Sequence, residues 1–294
     1  MSELLSYVIP GIANGSVYSL IALGFVLIYK CSGVLNLAQG ELVIIGGYIF
    51  YLFTAQLGLP LWAGFLATFL FAMILGVAIE RLALRPLLGQ PLLALIIVTL
   101  VIGGLLKGVM MLGWGAETLS LPTLFPTGGI ELVGILLSYE HIAFFIVSIV
   151  IGAALLLFFR YSRTGVEMMG TADDSQVTQS LGINVKGILT LSWVIACMVS
   201  ALGGILMTSI TGVHYTGVAI GMRALAVVLL GGLESLGGVL IAGPLIGVIE
   251  FVTAGYIDPI VGGGFRDVVP FVVMILALLI RPYGFFGWKR IERV

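Results

Sequence analysis

The sequence predicts an all-α fold, a polytopic transmembrane helical bundle of about eight or nine spans with discontinuous helices. Of its 294 residues, 60% are hydrophobic and only 9% are charged, and the mean hydropathy is +1.22. A soluble domain carries charge on about a quarter of its residues. The 41 glycines suit helices whose backbones approach closely in a membrane. An outer-membrane barrel would alternate apolar and polar residues, whereas this chain has uninterrupted apolar runs.

Nine apolar segments follow one another along the chain, and most approach the length that a helix needs to cross a bilayer. They run over Tyr7–Tyr29, Glu41–Ala55, Leu61–Ile79, Leu92–Leu112, Ile142–Phe159, Ile188–Ile210, Gly212–Leu233, Val239–Ala254 and Val268–Ile280. The seventh of these runs contains Arg223, which interrupts an otherwise apolar stretch.

Lys and Arg residues predict the orientation of the bundle, because cytoplasmic loops retain them. Arg160, Arg163 and Lys186 lie in one stretch, Arg160–Gly187, which we call the polar segment. Further cations follow the last apolar run, whereas residues 108–159 contain no Lys or Arg. We therefore expect the polar segment and the C-terminus in the cytoplasm, the N-terminus outside, and nine crossings.

Composition and motifs argue against several functions. The net charge of -1 does not favour nucleic-acid binding. Cys31 and Cys197 are isolated thiols, so neither a disulfide framework nor a metal site is implied. The sequence has two histidines and no Ser–His–Asp set, H-E-x-x-H motif or cofactor fingerprint, which argues against an enzyme. Glu3 stands where a signal peptide carries Lys or Arg, so we expect the first apolar segment to be retained.

Two stretches are interrupted by glycine or polar residues where a span would ordinarily continue. They are KCSGVLNLAQGE, Lys30–Glu41, and LLGGLESLGGVLIAGP, Leu229–Pro244. In transporters, such breaks line a water-filled path or lie inside protein, where their backbone groups find partners. The alternative is that both are ordinary tight loops between spans.

Polar residues inside the apolar runs are costly in lipid and therefore mark candidate sites. Asn36, Gln39 and Glu41 lie together in the first break, and we predict that they form a translocation path or gate. Asn14 and Tyr18 lie four residues apart and share a helix face, which could line the path or pack against a neighbouring helix.

Arg223 and Glu250 are candidates for an ion pair inside the membrane. In the alternative arrangement, each side chain reaches a membrane interface separately.

An ion-coupled secondary transporter or a passive channel is the competing functional class. A coupled transporter would usually carry more ionisable groups at the centre of the membrane.

Five blocks of the chain resemble the permease subunits of branched-chain amino-acid ABC importers, the LivH type. They are GIANGSVYSLIALGFVLIYKCSGVLNLAQGELVIIGGY (Gly11–Tyr48), ERLALRPL (Glu80–Leu87), LGIN (Leu181–Asn184), GMRALAVVLLGGLESLGGVLIAGPLIGVIE (Gly221–Glu250) and RPYGFFG (Arg281–Gly287). Within the first block, Leu37 and Gln39 depart from the N-F-A-H-G-E pattern of leucine-type members.

The resemblance implies a type II-like ABC importer permease, one transmembrane domain over residues 1–294, working by alternating access in a bacterial inner membrane. The imported solute would be a branched-chain or other amino acid, with urea, amides or small aromatic acids as alternatives. The implied partners are a second, homologous permease chain in a heterodimer, two cytoplasmic ATPases and a periplasmic or lipid-anchored solute-binding protein. No phosphate-binding G-x-x-x-x-G-K-[ST] loop occurs, so ATP and Mg would bind the ATPase and this chain would hold no cofactor.

The resemblance also makes the polar segment, residues 160–187, a coupling element for the ATPase. We expect one short helix over Val166–Leu181, with Glu167 at its positive end and Gly182 as the left-handed residue after it. Its predicted contact surface is Thr171, Ala172, Asp173 and Asp174. Without the resemblance, a solvated connecting loop would be the simpler interpretation.

Overall fold

A computed structural model describes residues 2–126, 128–132, 135–173, 175–281 and 284–287. Within these ranges, six helices are long and apolar enough to cross a membrane. The helices are α1 (Ser2–Ser32), α2 (Gln39–Tyr51), α3 (Leu61–Ala78), α4 (Leu92–Trp114), α5 (Tyr139–Tyr161), α6 (Arg163–Asp173), α7 (Ser175–Ser180), α8 (Val185–Thr211), α9 (Ala219–Gly231), α10 (Leu236–Tyr256), α11 (Asp258–Val261) and α12 (Phe265–Ile280). Strands β1 (Gly129–Leu132) and β2 (Ile135–Ser138) pair antiparallel. The predicted polytopic helical bundle is confirmed, with this small hairpin as an addition.

Each of the nine predicted apolar segments coincides with a helix. The six long helices are α1, α3, α4, α5, α8 and α10. The other three, α2, α9 and α12, have 13, 13 and 16 residues and are short for a full crossing. A π-helical turn, Leu52–Gln56, prolongs α2, and a 3-10 turn, Tyr215–Val218, precedes α9. The bundle therefore combines long spans with short helices, as the interrupted stretches indicated.

The crossing helices differ sharply in burial, although all of them are long and apolar. In α1, 94% of the most apolar 18-residue stretch is buried inside the protein, whereas in α4 the corresponding fraction is 17%. A helix that is hydrophobic all round is stable either in a protein core or against lipid chains. We infer that α1 is a core helix and that much of α4 faces lipid.

The chain divides into two compact units. The first consists of Met1–Val26, Phe125–Ala153 and Arg223–Val294, and the second of Leu27–Leu124 and Ala154–Met222.

In the first unit, glycines bring α1 and α10 into backbone contact. A Cβ built on Gly15 would lie 2.3 Å from the carbonyl oxygen of Gly243, and one on Gly247 would lie 2.2 Å from that of Gly11. The Ser19 hydroxyl donates to the carbonyl of Val239 at 2.9 Å. Small residues thus allow the close helix approach that membrane bundles use in place of a hydrophobic driving force.

In the second unit, glycines have the same role between α8 and the helices α2 and α3. A Cβ on Gly204 would lie 1.9 Å from the Val43 carbonyl oxygen, and one on Gly46 would lie 2.5 Å from the Ala201 Cα. Gly76 of α3 approaches the carbonyl of Trp193 in the same way. These contacts make α8 the central helix of this unit.

The second predicted interruption, Leu229–Pro244, is a tight turn between two helices. The positive φ of Gly232 ends α9, and the Ser235 side chain caps α10 by accepting from the Gly238 amide at 3.0 Å. Helix α10 then continues through Pro244. The tight-loop interpretation therefore describes this stretch.

Candidate translocation and coupling sites

The first interruption joins α1 to α2 through a short non-helical stretch whose polar side chains are buried. Asn36 and Gln39 are both 0% exposed. The Asn36 Nδ2 donates to Gln39 Oε1 at 3.0 Å, and the Asn36 Oδ1 accepts from the Ala38 amide at 3.1 Å. Gln39 Nε2 donates to the hydroxyl of Ser200 on α8 at 2.6 Å. These two predicted path residues are brought together in a hydrogen-bonded cluster.

Helix α4 supplies a further partner for this cluster. The Leu37 amide donates to the hydroxyl of Thr99 at 3.1 Å, and Thr99 is itself fully buried. Interrupted backbone inside a membrane is stable where protein groups satisfy it. The cluster thus joins α2, α4 and α8 within the second unit, and the proposal that it lines or gates a path stays a prediction.

Glu41 occupies a gap that a glycine of α4 leaves open. Its side chain is partly buried at the start of α2, and a Cβ built on Gly103 would lie 3.1 Å from its carboxylate. Lys107 lies one turn further along α4. A partly buried carboxylate at a helix start is a candidate element of a polar path.

Asn14 and Tyr18 share a face of α1, as predicted, but have different partners. Asn14 is 6% exposed and its Nδ2 donates to the Pro10 carbonyl at 3.0 Å, a bond within the same helix. Tyr18 is fully buried and its hydroxyl donates to Glu250 Oε1 at 3.3 Å. Packing within the first unit accounts for both contacts.

Glu250 is the centre of a buried charge cluster in the first unit. Its Oε1 lies 2.9 Å from Nε of Arg266 and 3.5 Å from Nη1 of Arg223. Arg223 also pairs with Asp267, at the start of α12. Glu250 is 0% exposed, and its Oε2 has no hydrogen-bond partner among the described residues. The predicted Arg223–Glu250 pair is confirmed, and the arrangement with two separate snorkelling side chains is wrong.

Sequence reasoning missed Arg266 and Asp267, which join this cluster from the first turn of α12. Arg266 also lies over the ring of Phe251, 4.4 Å from its centroid, and its amide donates to Asp258 Oδ1 at 3.2 Å. Three successive glycines, residues 262–264, have positive φ and turn the chain into α12. This glycine run was the available signal that α12 folds back onto α10.

The polar segment contains two helices, α6 and α7, so the prediction of one helix over Val166–Leu181 is wrong. The Thr178 hydroxyl donates to the Gly170 carbonyl at 2.9 Å, although the two residues are eight positions apart. In one straight helix, eight residues span about 12 Å, too far for this bond. Gly182 follows α7 with a φ of 82°, the left-handed conformation expected of it.

The predicted coupling residues have different surroundings. Glu167 is partly buried, and Thr171 is 4% exposed with its hydroxyl donating to the Glu167 carbonyl at 2.7 Å. Ala172 and Asp173 end α6, and the positions of their side chains are not described. Asp174 lies outside the described residues.

Sequence reasoning missed three exposed apolar side chains of the polar segment. They are Val166, Val177 and Leu181, with exposed fractions of 55%, 55% and 73%. We call them the apolar patch. Val177 and Leu181 lie four residues apart and share a helix face. Because the polar segment is not an apolar span, the three side chains are candidates for contact with another protein.

A buried ion pair connects the end of α3 to the start of α8. Glu80, in a π-helical turn (Ile79–Leu84) that prolongs α3, accepts two hydrogen bonds from Arg85, at 3.0 and 2.9 Å. The Thr190 hydroxyl of α8 donates to Glu80 Oε2 at 2.8 Å. Such π-helical turns are rare and frequently occur at functional sites. These hydrogen bonds join the end of α3 to α8, the helix that begins at the end of the polar segment.

Comparisons with known proteins are consistent with this architecture. The family described as the permease component of branched-chain amino acid transport systems matches residues 7–278. The high-affinity branched-chain amino acid transport system permease protein BraD of Pseudomonas aeruginosa is 34% identical, with both chains covered completely. LivH of Escherichia coli, described in the same words, is 31% identical, again over both complete chains.

A more distant relative and one solved structure extend the comparison. The probable branched-chain amino acid transport permease protein LivH of Methanocaldococcus jannaschii is 30% identical, covering 94% of this chain and 90% of its own. The structure of PsaBC from Streptococcus pneumoniae in complex with Fab matches with a TM-score of 0.52 and 14% identity, covering 96% of this chain and 93% of that one. At this identity the structural match supports the fold alone.

Proposed function

Because the chain belongs to the family of permease components of branched-chain amino acid transport systems, we propose that it carries branched-chain amino acids into the cell for an ATP-driven importer. It is a multi-pass membrane permease and not an enzyme, since its full-length relatives are permease proteins. The family match over residues 7–278 is the observation that carries the proposal. It covers the spans, the polar segment and both interruptions together.

ATP hydrolysis is assigned to a separate ATPase chain, which would hold ATP and Mg. The polar segment is the proposed contact for that chain. Its Arg160, Arg163 and Lys186 predict a cytoplasmic position, and it is the long polar stretch between the spans. The apolar patch and the helix pair α6 and α7 supply a compact surface of the kind that fits a cleft. The Glu80–Thr190 hydrogen bond would then carry movement of the polar segment into α3.

The remaining partners follow from the same class of importer. A solute-binding protein would deliver the amino acid from outside, and a second permease chain, similar but distinct, would complete the path. We place the complex in the inner membrane of a bacterium. Specificity would reside mainly in the binding protein, because a permease that held the solute tightly would release it slowly.

Growth and uptake in intact cells test this assignment. A strain that lacks its own branched-chain amino acid uptake should regain uptake of labelled leucine, isoleucine or valine when it receives this chain with its neighbouring transport genes. The control omits this chain alone and should restore nothing. Uptake that is equal with and without this chain, or restored uptake of urea but of no amino acid, would contradict the proposal.

A further inference from the structure

A cavity of about 890 Å³ lies where four membrane helices begin or end in the second unit. Its lining includes Ser32 at the end of α1, Leu84 after α3, Leu95 at the start of α4 and Lys186 at the start of α8. Helix ends of membrane spans lie at the level of the lipid headgroups. The cavity is therefore at a membrane surface, beside the polar segment, which contributes Thr171 and Gln179 to it.

The charged groups of the cavity leave one positive charge in excess. Glu80 is 2% exposed and is neutralised by the two hydrogen bonds from Arg85. Neither the Nη1 of Arg85 nor the ammonium group of Lys186 has a partner within the described ranges. Lys186 is exposed, and the Arg85 side chain is 31% exposed, so both are accessible to a ligand. The unpaired donors suit an anion with several acceptor oxygens.

The lining also has apolar side chains that are accessible from the cavity. Leu88 is 43% exposed, and Leu95, Ile183 and Val185 are partly exposed. An anion alone would leave these side chains without an apolar partner. A ligand that joins an anionic group to an aliphatic chain would contact both parts of the lining.

We propose that this cavity binds an anionic phospholipid, with its phosphate between Arg85 and Lys186 and an acyl chain against Leu88 and Leu95. Basic pockets between membrane helices at the headgroup level bind the head groups of such lipids. The position at four helix ends favours a lipid over a soluble phosphate, because the bilayer supplies the lipid at this depth. A bound lipid would contact both the polar segment and α8, and so connect them.

Fluorescence of Trp193 reports on this site directly. The full chain, with Trp62, Trp114 and Trp288 replaced by Phe, is placed in lipid nanodiscs that contain bromine-labelled phosphatidylglycerol or bromine-labelled phosphatidylcholine. Because Trp193 lines the cavity but is only 2% exposed, a lipid inside the cavity should quench it more than the lipid around the bundle does. We expect stronger quenching by phosphatidylglycerol, and equal quenching by the two lipids would overturn the proposal.

A matched pair of variants tests the role of the cation. Lys186→Gln should lower the apparent affinity for phosphatidylglycerol about fivefold, since one cation near an anionic lipid surface contributes on this scale. Arg81→Gln removes an exposed charge from the same end of the bundle but does not alter the cavity lining, and should change nothing. An equal effect of the two substitutions would show only general attraction to the surface and would overturn the site.

Inorganic phosphate distinguishes the two sources of the anion. If a phospholipid is bound, added phosphate should have no more effect on the quenching than chloride at the same ionic strength. If phosphate removes the difference between the two lipids and chloride does not, a soluble anion occupies the cavity and the lipid assignment is wrong.

Discussion

Glu250 of α10 is completely buried, and its Oε1 lies 2.9 Å from the Nε of Arg266 on α12. Arg223 and Tyr18 contact the same oxygen, so one carboxylate joins α1, α9, α10 and α12. The carboxylate is costly to replace, because Arg223 and Arg266, whose side chains are 21% and 36% exposed, would lose the charged acceptor that they share. The cluster therefore makes a strong prediction about stability.

Glu250→Gln should destabilise the protein by about 1.5–3 kcal/mol, because it weakens the charged hydrogen bonds of two arginines. The matched variant Asp267→Asn removes a carboxylate whose side chain is 67% exposed, and should cost less than about 1 kcal/mol. Thermal unfolding of the purified protein in detergent compares the two. Equal losses of stability in the two variants would show that the burial of Glu250 does not determine its contribution to stability.

The contact between α1 and α10 predicts that Gly15→Ala impairs folding. The added Cβ would meet the backbone of Gly243 and Pro244 at 2.3 and 2.7 Å, and backbone atoms cannot move aside as a flexible side chain can. Overpacking of this kind costs about 1–3 kcal/mol or more. Gly104→Ala on α4 is the control, because nothing lies within 4 Å of its Cβ position. Yield of folded protein should fall for the first variant only.

The path hypothesis at the first interruption predicts that Glu41→Gln lowers uptake while leaving the complex intact. The substitution preserves shape but removes the charge, and Glu41 forms no ion pair among the described residues that the fold could lose. Asn36→Leu differs, because it removes hydrogen bonds to Gln39 and Ala38 and should cost about 1–3 kcal/mol in stability. Normal uptake by the Glu41 variant would place the path elsewhere.

The polar segment predicts a defect in coupling for Leu181→Ser. Its side chain is 73% exposed within the apolar patch, so the change should weaken ATPase binding without affecting insertion. Leu82→Ser is the control, since this leucine is 79% exposed at the end of α3, outside the polar segment. Co-purification of the ATPase should fall for the first variant and not for the second. Loss in neither would make the segment a simple connector.

Hydropathy predicted each of the six long apolar helices that the structure describes. It succeeds because the stability of a helix in lipid or in a protein core depends on the average composition of several turns. The pairing of Arg223 with Glu250 could also be proposed, since two isolated charges in apolar runs need partners. Arg266 was not added to them, because the glycine run before α12 indicates a turn but not which helix α12 meets after it. Its approach to Glu250 depends on how α12 folds back after the glycine run, and no local periodicity encodes that turn.

The polar segment shows a second limit of sequence reasoning. The expectation of one helix over Val166–Leu181 came from Glu167 at its start and Gly182 after its end, and neither residue reports on what happens between them. The bond between Thr178 and Gly170 is formed over eight residues, and it competes with continued helix. Helical hairpins of this size depend on side-chain contacts that propensity does not include.

ATP-driven uptake in reconstituted vesicles tests the central claim most directly. The chain is reconstituted with its ATPase and second permease chain, ATP is enclosed on the ATPase side, and the solute-binding protein is added with labelled leucine on the other. The account predicts accumulation that requires both ATP and the binding protein, and that stops when a non-hydrolysable ATP analogue is used. Accumulation driven by an ion gradient without ATP would contradict it.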